Sequence, residues 1–243
     1  MRKLSGVDCF ALACDYDETL ADEGRVPSAT YAALQRLRAS GRKLILVTGR
    51  ELPELRMVCT ELGLFDRVVA ENGALLFTPA TGQERVLTEP PPAALVAALS
   101  AAHVEPLSIG RVIVATREPM QAIVLEAIRT LGLEHQVIFN KGAVMVLPPG
   151  VNKASGLRVA LDELALSARD VVAVGDAEND HALLSACGFG VAVANAVPML
   201  KQHAQWVTNA PRGAGVVELI ARILANELAR LTPSRADGGS PRP

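Results

Sequence analysis

The sequence predicts an α/β fold, a doubly wound, Rossmann-like parallel sheet with a small α+β module inserted into it. Three observations predict it. Short apolar runs alternate with longer amphipathic stretches along most of the 243 residues. Those runs are continuously apolar rather than alternating, as strands covered on both faces are. Between residues 80 and 150 the pattern changes to proline-flanked helices, strands and a hairpin signal.

The elements follow in chain order. CFALAC (9–14) is the first strand. Residues 28–39 place Tyr31, Leu34 and Leu37 at helical spacing, after the start signal Pro27-Ser28 and before Gly41. KLILV (43–47) is a strand, 51–62 a helix closed by Gly63, and RVVA (67–70) a third strand. Pro79, Gly82 and Pro90-Pro91-Pro92 make 79–92 read as loop. Helices over 93–102 and 119–131 lead to strands over 111–116 and 136–140. Asn140-Lys141-Gly142 turns the last of these into AVMVL (143–147), and Pro148-Pro149-Gly150 ends the module. A helix over 153–165 returns to the core, followed by DVVAV (170–174), GVAVA (190–194) and packing around Trp206. The helix over 216–231 turns Val217, Ile220, Ile223, Leu224 and Leu228 to the core. From Thr232 onward no apolar periodicity remains, so 232–243 reads as a disordered tail. The domain reading is therefore a core of 1–79 plus 151–231 and a module of 80–150.

Composition excludes several functions. Lys and Arg number 24 against 26 Asp and Glu, with no basic run, which argues against nucleic acid as partner. Aromatics at 3% argue against base-stacking platforms. Cys9, Cys14, Cys59 and Cys187 form no CxxC pair, so neither a zinc ribbon nor a thioredoxin motif is present. Scattered cysteines fit a reducing, cytoplasmic setting. Phe65 stands where a cysteine phosphatase loop starting at Cys59 needs Arg. Asp8 interrupts the only signal-like stretch. The uncharged run Leu183 to Leu200 is punctuated by Gly188, Gly190 and Pro198, so no membrane span is expected.

Four clusters carry chemistry. Asp15-Tyr16-Asp17-Glu18-Thr19 directly follows the first strand. Open α/β sheets bind ligands outside such strand ends. Paired carboxylates there suit a divalent cation, with one acid as nucleophile and the other as proton shuttle. Thr48-Gly49-Arg50 after the second strand offers a hydroxyl and backbone N–H groups to an anion. Lys153 opens a helix against its dipole, a placement that helix stability does not explain. Gly175-Asp176-Ala177-Glu178-Asn179-Asp180 packs oxygen ligands at another strand end. Singly, each has a bland reading as acidic loop, turn, solvated lysine or helix cap. Together they converge on one edge of a parallel sheet.

This constellation resembles the haloacid dehalogenase-like phosphohydrolase superfamily, with the four clusters matching its four motifs in order. The insertion between the second and third motifs resembles the C2-capped branch. With Glu71-Asn72-Gly73-Ala74, the pattern is similar to the Cof-type and phosphoglycolate-phosphatase-like members. The resemblance implies a Mg2+-dependent phosphatase acting on a small phosphorylated metabolite, a sugar phosphate or a phosphoglycolate-like ester. It implies that Asp15 forms an aspartyl-phosphate and that Asp17 serves as general acid and base. It implies that Thr48, Gly49, Arg50, Asn72 and Lys153 hold phosphate or substrate. The metal set it implies is Asp15, the Asp17 carbonyl and Asp176, with Asn179 and Asp180 binding directly or through water. A sugar phosphomutase and a catalytically silent module are the alternatives. Glu18 stands where many members carry Gly, which puts the turn after Asp17 in question.

Overall fold

The structure, a computed structural model, describes residues 9–227. The expected tail and the end of the last expected helix lie outside them. In chain order the elements are β1 (Ala11–Cys14), α1 (Ser28–Ala39), β2 (Lys43–Val47), α2 (Leu52–Val58), β3 (Arg67–Ala70), β4 (Leu75–Thr78) and β5 (Gln83–Val86). The inserted part holds α3 (Ala93–Ala101), β6 (Ser108–Ile109), β7 (Val114–Arg117), α4 (Gln121–Thr130), β8 (Gln136–Asn140) and β9 (Ala143–Leu147). Then come α5 (Lys153–Glu163), β10 (Val171–Gly175), α6 (His181–Ala186), β11 (Phe189–Ala192), α7 (Pro198–His203), β12 (Trp206–Val207) and α8 (Arg212–Leu224).

An eight-stranded sheet runs in the order β12-β11-β10-β1-β2-β3-β4-β5. The pairs from β12 to β3 are parallel, and β4 and β5 are added antiparallel. Every residue of β1 and β10 is buried, so helices and loops cover both faces at the centre. β1 lies between β10 and β2, with Cys14 opposite Val174 and Leu46. That register brings Asp15, Thr48 and Asp176, each just past a strand's C-terminus, to one edge of the sheet.

The stretch 79–92, read as loop, contains β5. All four β5 residues are exposed, so no apolar pattern betrayed it. Because β5 belongs to the large sheet, the inserted part begins after Val86 rather than at residue 80. The helix expected over 51–62 stops at Val58; Cys59 turns to φ −101°, and a short 3-10 turn covers Leu62–Leu64. β-branched Val58 and Thr60 flank that break.

The inserted part forms a second sheet, β6-β7-β9-β8, antiparallel throughout. The strand alternation of β9 sorts its contacts. Val144 and Val146 pack under α3 and α4 with Leu95, Leu99, Val124 and Ile128. Met145 and Leu147 face the other way, into a cluster with Val112, Ile113 and Ala74 of the large domain. This second cluster seats the small sheet over the edge where the acidic residues collect.

Candidate active site

Asp15 follows β1, its N–H bonded to the Val174 carbonyl at 3.0 Å. Its carboxylate is buried and Oδ1 accepts from Lys153 Nζ at 2.6 Å. The same ammonium donates to Asp180 Oδ1 at 2.6 Å. Lys153 is placed by a capping box: Asn152 accepts from the Ser155 N–H, and Ser155 Oγ accepts from the Asn152 N–H, each at 3.0 Å. Burial alone would lower the Lys153 ammonium; Asp15 and Asp180 outweigh it and hold its pKa above the ordinary lysine value. Burial pushes the Asp15 acid well above the usual carboxylate range, Asp180 and Asp176 add to this, and Lys153 opposes it.

Asp180 is committed twice. Its Oδ2 accepts from the N–H groups of Asp176 and Ala177 at 2.9 and 3.0 Å, closing the loop after β10. Only glycine fits before that loop, since a Cβ on Gly175 would lie 2.4 Å from Asp180 Cγ. Asp176 is fixed from a third element: Thr19 Oγ1 donates to its Oδ1 at 3.0 Å. In the sequence alone Thr19 is only the last residue of the first acidic cluster.

The backbone N–H of Thr48 bonds the Val69 carbonyl and the Thr48 carbonyl accepts from Asn72, at 2.8 and 2.9 Å. Its Oγ1 accepts from the Arg50 N–H at 3.1 Å, which leaves the hydroxyl hydrogen free to donate. Asn179 Nδ2 donates to Asn72 Oδ1 at 3.0 Å. Asn72 Nδ2 and Asn179 Oδ1 are left buried with no partner. A Cβ on Gly49 would lie 3.6 Å from Asn179 Nδ2 and 3.4 Å from Met145 Sδ. Thr48, Gly49, Asn72 and Asn179 are thus brought together as expected. An orphan donor and an orphan acceptor side by side are what a bound oxyanion and cation would satisfy.

Arg50, expected to hold phosphate or substrate, grips both oxygens of Asp17 with its guanidinium, at 2.8 and 2.7 Å. Asp17 is half-exposed and stands apart from the buried acidic group. Glu18 takes φ +57°, so the left-handed turn that suits glycine is kept despite a side chain. Asn195 Nδ2 donates to the Glu18 carbonyl at 2.8 Å, and Arg212 Nε to its carboxylate at 2.7 Å.

The small sheet contributes Lys141 from the β8–β9 turn. Its Nζ donates to Asp176 Oδ2, and its N–H lies 3.3 Å from Glu178 Oε2. The sequence marks this lysine only as part of the turn Asn140-Lys141-Gly142. Arg111 pairs with Glu84, at 3.5 Å. Burial raises Asp176, Lys141 lowers it again, and Asp180 adds to the rise.

Asp15, Asp176 and Asp180 each offer an oxygen within 4.8 Å of the others. An all-oxygen donor set with net negative charge fits a hard cation such as Mg2+, and the orphan Asn179 Oδ1 adds a fourth oxygen.

The haloacid dehalogenase-like hydrolase family matches residues 12–104 and 104–220. A phosphoglycolate phosphatase of Methanothermobacter thermautotrophicus is 33% identical over 223 residues, spanning 88% of this chain and 98% of that protein. One from Haloarcula marismortui is 31% identical over 222 residues, spanning 88% and 97%. A haloacid dehalogenase-like hydrolase of Bacteroides thetaiotaomicron shares the fold at TM-score 0.75 and 20% identity, covering 88% of this chain and 99% of its own. Among the described residues no helix is long and apolar enough to cross a membrane. Motif order, a buried acid group at the sheet edge and family coverage across both halves lead to one assignment: the chain belongs to the haloacid dehalogenase-like hydrolases, as a phosphatase of that superfamily.

Proposed function

We propose that this enzyme hydrolyses small phosphomonoesters carrying a second anionic group, phosphoglycolate foremost, with Mg2+ and through a phosphoryl group carried on Asp15. The observation that carries the reading is the buried Asp15–Lys153–Asp180 cluster beside Thr48 and Gly49. Asp15 attacks phosphorus and the bond to the leaving alcohol oxygen breaks. Asp17 gives that oxygen a proton, then takes one from the water that attacks phosphorus and restores the free Asp15 carboxylate. To do so Asp17 must be released from Arg50. Thr48, the Gly49 amide, Asn72 Nδ2 and Lys153 hold the phosphoryl oxygens.

Asp15, the Asp17 carbonyl, Asp176 and, directly or through water, Asn179 and Asp180 would hold Mg2+. The cation supplies charge neutralisation at the transferring phosphoryl group. The inserted part, from about Leu87 to Leu147, acts as a cap that excludes water and meets the leaving group. Lys141, on the cap hairpin at Asp176, favours a substrate with a carboxylate near its ester oxygen. The substrate named for the archaeal relatives has that chemistry. Four free cysteines, three of them buried, support a reducing, cytoplasmic setting.

The test is phosphate release from phosphoglycolate and from a panel of sugar phosphates, with Mg2+ and with a chelator. Mg2+-dependent turnover with phosphoglycolate ranked first is expected. Turnover that ignores the chelator, or a panel led by uncharged-tail esters, would contradict the proposal.

A further inference from the structure

Glu71 is fully buried, and among the described residues no lysine or arginine pairs with it. Its carboxylate instead accepts three backbone N–H groups of the inserted part. Oε1 takes Arg111 at 2.9 Å, and Oε2 takes Val112 at 2.8 Å and Ile113 at 3.0 Å. Successive amides converging on one anion form a nest, and hydrogen bonds to an ionised acceptor are the strong ones. Gly110 is shaped to this contact, because a Cβ there would lie 2.8 Å from Glu71 Cδ. Glu71 and Asn72 both adopt left-handed backbone, at φ +49° and +54°, which side-chain-bearing residues take only under constraint. The effect of that geometry is to send two neighbouring side chains different ways. Asn72 pairs with Asn179 in the site, and Glu71 holds the inserted part.

We infer that Glu71 is the pivot of the cap, a positioning residue that sets the cap's register over the site through the backbone of residues 111–113. The lever is the β7–β9 pair. Val114, next to the nest, pairs with Val146, and Arg117 pairs with Ala143 beside the Lys141 turn. Four residues of strand span about 10 Å, so a tilt at the nest moves Lys141 and Met145 over Asp176 and Gly49. Glu71 and Asn72 share one short loop, whose backbone also bonds the Arg50 and Thr48 carbonyls at 2.9 Å each. Cap and phosphate loop therefore hold a common reference point.

Glu71→Gln tests this, because its amide group would present a donor to an N–H. Hydrogen exchange of the folded protein, without substrate, is the first readout. Amides 111–113 should exchange at least about tenfold faster, with those of β1 and β10 unchanged. The activity arm rests on the proposed function. KM for phosphoglycolate should rise about tenfold with kcat lowered less, while kcat/KM for p-nitrophenyl phosphate stays within about twofold. Gly110→Ala crowds the same carboxylate from the cap side and should reproduce both effects, which keeps the test decisive if Glu71→Gln folds poorly. Unchanged exchange at 111–113 would overturn the inference. So would faster exchange with an unaltered KM, or equal losses on both esters. If the unaltered enzyme does not hydrolyse phosphoglycolate, the substrate reading fails, and the exchange result alone decides whether Glu71 pins the cap.

Discussion

Asp15 is a buried acid whose Oδ1 takes a hydrogen bond from Lys153, and its neutral amide analogue has nearly the same shape. Asp15→Asn should abolish turnover, by about a thousandfold or more, since an amide is no nucleophile here. Its melting temperature should fall little, because one of three clustered carboxylates is removed and Lys153 keeps Asp180. Near-normal turnover by a folded variant would remove Asp15 from the reaction. Glu18→Gly probes the turn. Relief of a left-handed side-chain residue is worth about 1–2 kcal/mol, and the Arg212 pair it loses is a solvent-screened surface contact. Thermal unfolding should therefore show equal or slightly higher stability; a loss above about 2 kcal/mol would mean that the Arg212 contact governs the turn. The gathering of Asp15 and Asp176 was legible in the sequence from two strand ends, and that of Lys153 from its place in the first turn of a helix. The Arg50–Asp17 pair was not legible, because spacing says where a side chain starts and not which partner its long stem reaches. Thr19 bonds Asp176 and Glu71 bonds the amides of residues 111–113, all far away in the chain, and nothing local marks such contacts.

At the scale of elements, the loop after β10 depends on Gly175. Gly175→Ala would drive a methyl group into Asp180, and overpacking of this kind costs about 1–3 kcal/mol. The displaced Asp180 would also release Lys153, so Mg2+ affinity measured by calorimetry should weaken alongside the melting temperature. An unchanged metal isotherm would separate the loop from the cation site. The parallel strands β1, β2, β3 and β10 were readable as unbroken apolar runs, since burial on both faces leaves no room for polar residues. β5 was not readable, because an exposed edge strand needs only backbone pairing with β4. The early stop of α2 at Val58 lay hidden for a different reason: helical periodicity continued in letters beyond the point where the backbone turned.

On the scale of the whole molecule, two sheets with separate apolar clusters meet at the acidic edge. Removing residues 88–147 and joining the ends with a Gly/Ser linker should leave a folded, Mg2+-binding core. Removal from residue 80 should fare worse, because it strips β5 and exposes the long edge of β4. Phosphoglycolate turnover should collapse in the shorter deletion, while an activated ester is hydrolysed at a rate within about tenfold of the intact protein. An unchanged substrate ranking would place specificity in the core. Prolines and a hairpin signal bracket the proposed cap in the sequence, but the prolines lie beyond β5, so they do not mark where the large sheet ends.

The central claim is that phosphate passes through Asp15. The direct measurement is acid quenching of Asp17→Asn enzyme mixed with Mg2+ and p-nitrophenyl phosphate, whose leaving group needs no proton, followed by mass spectrometry of the peptide that contains Asp15. The account predicts one added phosphoryl group on Asp15, accumulating because the group that deprotonates the attacking water is gone. A phosphoryl group on another residue, or none while the quenched enzyme was turning over, would contradict it.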